Sequence, residues 1–154
     1  VSVRVHRPHE FEATRVVNRP MDRTELARLI KALSYLTGEF SLRSGATSPV
    51  YWDKYRFESD PMALNAIVER MRGLLPSEYD KLGGMELGGI PIATALSLKV
   101  GRPCLYVRKK AKDYGTRNLV EGGFSRGERV VVVEDVITTA GQVARQSWRC
   151  ANLD

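Results

Sequence analysis

Helix-period and strand-period segments alternate along this chain, which predicts an α/β domain built on a parallel sheet flanked by helices. Three observations carry that prediction. Val130 to Val133 is an unbroken valine run, the pattern of a strand covered on both faces. Leu26, Leu29, Ile30 and Leu33, and again Leu64, Ile67, Val68 and Met71, recur at helical spacing. Gly88-Gly89 stands between a strand candidate and a helix candidate, where such sheets bend their chain toward a ligand. The 154 residues suit one domain with a real core, and 43% apolar with 27% charged residues is ordinary for a water-soluble protein.

The elements follow in order. Residues 1 to 20, rich in Arg, His and Pro, have no period and are expected to be an extension without fixed structure. Residues 21 to 154 are expected to be the folded domain, with translation starting at Met21. Asp22 with Glu25 has the form of a capping box, so a helix should open there and end at Gly38. Phe40 to Phe57 mixes aromatic and alternating residues with Ser44-Gly45 and Ser48-Pro49, which predicts extended segments joined by turns. Asp60 as cap and Pro61 in the first turn open a second helix. A short strand ends near Gly83-Gly84, a helix runs from about Pro91 to Lys99, and Pro103 to Val107 and Arg129 to Val133 are strands. After Gly141 the apolar face is weak and only three parallel strands are foreseen. The sheet is therefore expected to be incomplete, and the chain cut short at its C-terminal end.

Composition narrows the function. No apolar run reaches the ~20 residues a membrane helix needs, and no secretory signal opens the chain, so a cytoplasmic protein is expected. Cys104 and Cys150 lack the spacing of a zinc site or disulfide framework. A net charge of +6 calls for an anionic partner. The densest basic stretch, Arg108, Lys109, Lys110, Lys112 and Arg117, is short, so it suits a small polyphosphate as well as a nucleic-acid backbone. Neither a P-loop nor a dinucleotide fingerprint is present. His6 and His9 lie in the expected extension and are read as incidental. Cys104 is read as core, and Tyr51, Trp52 and Tyr55 as packing rather than a base-stacking platform.

The most informative segment runs from Val130 through Glu134, Asp135, Val136, Ile137, Thr138, Thr139, Ala140, Gly141 and Gln142. Ligands in open α/β sheets bind beyond the carboxyl ends of strands, where both acids fall. Adjacent carboxylates there can accept hydrogen bonds from vicinal sugar hydroxyls, directly or through a metal. Small residues from Thr138 to Gly141 let backbone N–H groups turn inward as an anion nest, and a following helix adds its positive end. The competing reading is an ordinary buried strand and a threonine-capped turn, which the paired acids and the Thr-Thr-Ala-Gly loop make the weaker one.

This string resembles the 5-phosphoribosyl diphosphate (PRPP) motif of type I phosphoribosyltransferases. Four further segments in order narrow the resemblance to the orotate phosphoribosyltransferase family: Phe40 to Gly45 with Ser48-Pro49, Glu86 to Ala93, Arg108 to Gly115, and Leu119 to Gly122. The resemblance implies a type I phosphoribosyltransferase sheet with a small N-terminal hood, and transfer of phosphoribose from PRPP to orotate in UMP biosynthesis. It implies Mg²⁺ carried by the diphosphate rather than held by a dedicated protein site, with Glu134 and Asp135 as the carboxylates that could also meet it. It also implies a homodimer in which Arg108, Lys109, Lys112 and Tyr114 close over PRPP, partly from the neighbouring subunit. Lys112 and Asp135 would be catalytic. Glu134 to Gln142 would bind PRPP, and Arg43 and Thr138 would meet orotate. Nucleic acid and membrane are not expected partners.

Four departures stand against the family pattern: Tyr114 where many relatives have His, Arg43 where many have Lys, no Lys at Gly88, and Ala140 where Gly is usual. If position 140 needs φ > 0, Ala costs about 1 kcal/mol there. An orotate-contacting arginine beyond the PRPP loop is also not found. A transferase for another base, a non-catalytic PRPP-binding regulator and an inactive fragment remain the alternatives at this level.

Overall fold

The computed structural model describes residues 20–42, 44–110 and 119–136, and the chain divides into two compact units, residues 1–66 and 67–154.

The first unit opens with α1, Arg23–Ser34. Its capping box is present: Asp22 Oδ1 accepts the N–H groups of Thr24 and Glu25 at 2.7 and 2.9 Å, and Glu25 Oε2 accepts the Asp22 N–H at 2.8 Å. The helix stops a full turn before Gly38, contrary to the expected end. Tyr35 leaves the helical region because Tyr35, Leu36 and Thr37 pair with Trp52, Tyr51 and Val50 in a hairpin, and β-branched and aromatic residues fit that pleated surface. Gly38 instead sits where the register shifts between Thr37 and Phe40, at a strand irregularity.

The hairpin consists of β1, Tyr35–Ser41, and β2, Thr47–Trp52. Its turn falls at Ser44-Gly45 as expected: the Gly45 N–H reaches the Leu42 carbonyl at 2.9 Å, and Gly45 has φ of 85°, where a side chain would be strained. The extended reading of residues 40 to 57 fails after Trp52. Lys54–Glu58 is a short helix, α2, whose turn is closed by the Ser59 N–H on the Tyr55 carbonyl. α3, Pro61–Arg72, crosses the division between the units, and Asp60 Oδ1 caps it by accepting from Met62 and Ala63.

The second unit carries β3 (Lys81–Met85), α4 (Gly89–Val100), β4 (Cys104–Val107), β5 (Val120–Glu121) and β6 (Val130–Val133). Their order in the sheet is β5-β4-β3-β6. β3 runs parallel to both β4 and β6, while β5 is antiparallel to β4. One face buries Met85, Leu105, Val107 and Val120, with Phe124, Val130 and Val132 against them. The other face takes α4, whose Ile92, Ala93 and Leu96 are buried. Glycines set how near α4 can come: a Cβ at Gly84 would lie 2.8 Å from the Gly89 carbonyl oxygen and 2.9 Å from Ala93 Cβ. α4 ends at Gly101, φ 68°, whose N–H reaches the Ser97 carbonyl.

Two expectations need correction here. Val130, Val131 and Val132 are only half-buried, because β6 lies at one end of the described strand order; Val133 alone is buried. β5 was not foreseen. Two residues are too few to show a period, and only their pairing with Tyr106 and Val107 makes them a strand.

Candidate functional site

β3, β4 and β6 run the same way, so their carboxyl ends open along one edge of the sheet. Three segments singled out in the sequence emerge there on neighbouring strands: Glu86 to Gly89 after β3, Arg108 to Lys110 after β4, and Glu134 to Val136 after β6. Glu134 and Asp135 are half-buried, and the Asp135 N–H is accepted by Glu134 Oε1 at 3.1 Å. Val136 is 49% exposed.

The Asp135 carboxylate lies against Gly88, the N-cap of α4: a Cβ built on Gly88 would stand 2.1 Å from Asp135 Oδ2. One residue on, a Cβ at Gly89 would stand 2.3 Å from the Val133 carbonyl oxygen. The Gly-Gly pair thus brings the positive end of α4 against the acid two residues past the end of β6. In the sequence the pair read as a bend of the chain toward a ligand. In the structure it makes room first for Asp135 and the β6 backbone.

Beside this, Glu86, Leu87, Ile90, Tyr106, Val107, Arg108 and Glu121 line a recess of about 410 Å³. Arg108, which lines this recess, is half-buried, and Lys109 and Lys110 after it are exposed. The Arg108 N–H donates to the Leu119 carbonyl at 2.9 Å. Its guanidinium Nε donates to the Lys110 carbonyl at 3.4 Å. The Lys109 N–H donates to Glu86 Oε2 at 3.0 Å. Sequence reasoning quoted Glu86 as part of a segment and gave it no role. Its place, one residue past a strand's carboxyl end, was the available signal.

Of the expected site residues, Arg108, Lys109, Glu134, Asp135 and Val136 are gathered at this edge. Arg43, Lys112, Tyr114, Ile137, Thr138, Thr139, Ala140, Gly141 and Gln142 lie outside the described residues, as do His6, His9 and Cys150. Tyr51, Trp52 and Tyr55 are 44, 52 and 45% exposed, more open than packing residues. Tyr51 stacks on Phe40 and Trp52 meets Tyr35 edge-on within the hairpin, and Tyr55 rides on α2 rather than on a strand. Cys104 is half-buried, and desolvation pushes its thiol above the usual range, which disfavours the thiolate a nucleophile needs. Among the described residues no group of three or more His, Cys, Asp or Glu side chains could hold a metal ion, and no helix is long and apolar enough to cross a membrane.

No family model matches the chain. It is 57% identical over 131 residues to an orotate phosphoribosyltransferase of Nocardioides sp., a match spanning 84% of this chain and 73% of that protein. It is 46% identical over 118 residues to one from Methanocella arvoryzae, spanning 76% and 67% of the two chains. Among solved structures, the orotate phosphoribosyltransferase of Mycobacterium tuberculosis superposes with a TM-score of 0.71 at 37% identity, over 83% of this chain and 75% of that one. The same organism's enzyme in complex with 5-phospho-alpha-D-ribosyl 1-diphosphate matches with a TM-score of 0.66 at 34% identity, over 83% and 73%.

Proposed function

The chain belongs to the orotate phosphoribosyltransferase family, and from that membership we propose how its residues carry out the reaction. The protein is a transferase that moves the 5-phosphoribosyl group from PRPP to orotate, giving orotidine 5′-phosphate and diphosphate in pyrimidine biosynthesis. The observation that carries this reading is the 57% identity across 73% of a named relative. The meeting of an acidic pair, a Gly-Gly turn and a basic segment at one sheet edge supports it. A likeness to an adenine phosphoribosyltransferase at 19% identity reflects the fold alone and gives no support to another base.

The ring nitrogen of orotate displaces diphosphate at the anomeric carbon, and the sugar gains oxocarbenium character on the way. Little proton transfer is required, so positioning and charge stabilisation supply most of the rate. Glu134 and Asp135 accept hydrogen bonds from the ribose hydroxyls. The nest from Val136 to Gln142 holds the 5′-phosphate. Arg108, Lys109, Lys112 and Tyr114 close over the diphosphate, where the cations stabilise charge growing on the leaving group and exclude water. Arg43 and Thr138 meet orotate. Glu134 and Asp135 are hard oxygen donors of the kind that share Mg²⁺ with phosphates, so the residues fit the ion. When bound, Mg²⁺ neutralises the diphosphate.

Residues 21 to 154 act as the transferase domain and residues 1 to 20 as an extension. The protein works as a cytoplasmic homodimer whose closing segment is shared between subunits. The test is orotate consumption followed by absorbance with PRPP, Mg²⁺ and micromolar protein. Turnover abolished by Asp135→Asn or Lys112→Ala is the expected result. Turnover that survives both substitutions would overturn the site assignment, and absence of turnover in the unaltered chain would overturn the activity.

A further inference from the structure

We propose that Glu86 is a positioning residue: its carboxylate fixes the point at which the basic segment Arg108–Lys110 leaves the sheet. The proposal deepens the phosphoribosyltransferase reading and rests on it, since the segment's task is to meet PRPP.

The argument begins with the pairing of β3 and β4. In a parallel ladder the hydrogen bonds recur every second residue, alternating in direction between the strands. The Leu82 N–H reaches the Pro103 carbonyl at 2.9 Å, and the Glu86 N–H reaches the Val107 carbonyl at 2.8 Å, so the register holds one residue past Met85. The repeat then calls for Lys109 to donate its N–H to the main-chain carbonyl of Glu86. It donates instead to Glu86 Oε2, at 3.0 Å. The side chain has taken the place of the backbone acceptor and adds one rung beyond the strand's end. Glu86 therefore holds Val107 through its N–H and Lys109 through its carboxylate, with Arg108 between them.

The opposite side of Arg108 is held as well, because its N–H donates to the Leu119 carbonyl. The exit from β4 is thus pinned at successive residues before the chain continues into the remaining basic residues. A fixed exit lowers the ordering cost of closing cations over a diphosphate. At a site that takes a polyphosphate, a carboxylate carries a repulsive cost unless it has a compensating role. Accepting the Lys109 N–H is such a role, and the amide oxygen of a glutamine could fill it without the charge.

Glu86→Ala and Glu86→Gln are compared with the unaltered chain by amide-resolved hydrogen exchange, calorimetric PRPP binding with Mg²⁺, and steady-state kinetics. In Glu86→Ala the Lys109 amide should exchange roughly tenfold faster and PRPP should bind roughly tenfold more weakly, the scale of one hydrogen bond. The orotate KM should stay unchanged, as should exchange at Leu105 and Val107. Glu86→Gln should restore both Lys109 protection and PRPP affinity.

The proposal is overturned if Glu86→Ala leaves Lys109 exchange and PRPP affinity unaltered. It is also overturned if both substitutions weaken PRPP and orotate alike with a lowered melting temperature, since that is general unfolding. Turnover by the unaltered chain judges the transferase reading separately. A chain that binds PRPP without turning over would sink that reading and still decide the role of Glu86, and one that binds no PRPP overturns both.

Discussion

At the scale of single residues, the glycines beside the acidic pair differ in what they permit. Gly88 and Gly89 are needed for space: an added methyl would collide with the Asp135 carboxylate in one case and with the Val133 carbonyl in the other. A carboxylate on a side chain can swing aside, whereas a strand carbonyl cannot. Gly88→Ala should therefore keep the fold and move Asp135, lowering kcat/KM for PRPP by tenfold or more, roughly 1.4 kcal/mol or above. Gly89→Ala should instead force β6 and α4 apart, at roughly 1 to 3 kcal/mol of stability. Gly101 is the control. Nothing lies within 4 Å of its would-be Cβ, and its φ of 68° predicts a purely conformational cost of about 1 kcal/mol for Gly101→Ala, with unaltered kinetics. Urea unfolding with parallel PRPP titrations separates the three. Unaltered stability in Gly89→Ala would contradict the steric account.

At the scale of elements, local chemistry was legible wherever it was self-contained. Asp22 with Glu25 and Asp60 with Pro61 announced their helices, because a cap is made within one turn and needs no distant partner. Asp60→Ala should cost about 1 kcal/mol in a denaturant melt. Elements decided by pairing were misjudged. Tyr35 to Thr37 join a strand because Val50 to Trp52 lie opposite, and β5 exists only beside β4. The clasp at the start of β3 was equally invisible. There Lys81 meets Glu128 at 2.8 Å and also donates to the Gly123 carbonyl. Arg129 donates its N–H to Asp80 Oδ2 at 2.7 Å and pairs with Glu78. The Arg129 N–H holds the Asp80 carboxyl below its ordinary 3.8, and Lys81 holds Glu128 below its ordinary 4.5. Groups with depressed folded values stabilise above their unfolded values and lose that contribution as pH falls through the folded ones. Melting temperature should therefore decline as pH drops below about 4.5 and then 3.8, and the decline should be shallower in Asp80→Asn/Glu128→Gln. The Asp80 and Glu128 side chains keep 42 and 24% of their surface in solvent, so high salt should blunt the effect in part. An identical pH profile for the double variant would remove the clasp from the account.

At the scale of the whole molecule, the sequence disclosed the site's chemistry better than its geometry. Glu134, Asp135 and Arg108 could be named because their residue types are rare in that order. That Asp135 rests against Gly88, and that Glu86 holds Lys109, depends on three parallel strands ending together, which no local pattern encodes. The proposed homodimer makes a prediction of the same global kind. If Lys112 of one subunit serves the site that holds Asp135 of the other, Lys112→Ala and Asp135→Asn homodimers are each inactive, yet a mixture is not. Each mixed dimer then contains one intact site, with Asp135 from the first variant and Lys112 from the second, and one doubly altered site. Random exchange makes half the dimers mixed, so activity should recover to about a quarter of the unaltered level in the whole mixture and about half in the mixed dimers alone. A segment that closes over its own subunit predicts no recovery at any mixing ratio. Co-expression with differently tagged chains, followed by orotate turnover in the doubly purified fraction, distinguishes the two arrangements. Recovery in that fraction would also show that both variants fold, because an unfolded partner could supply neither residue.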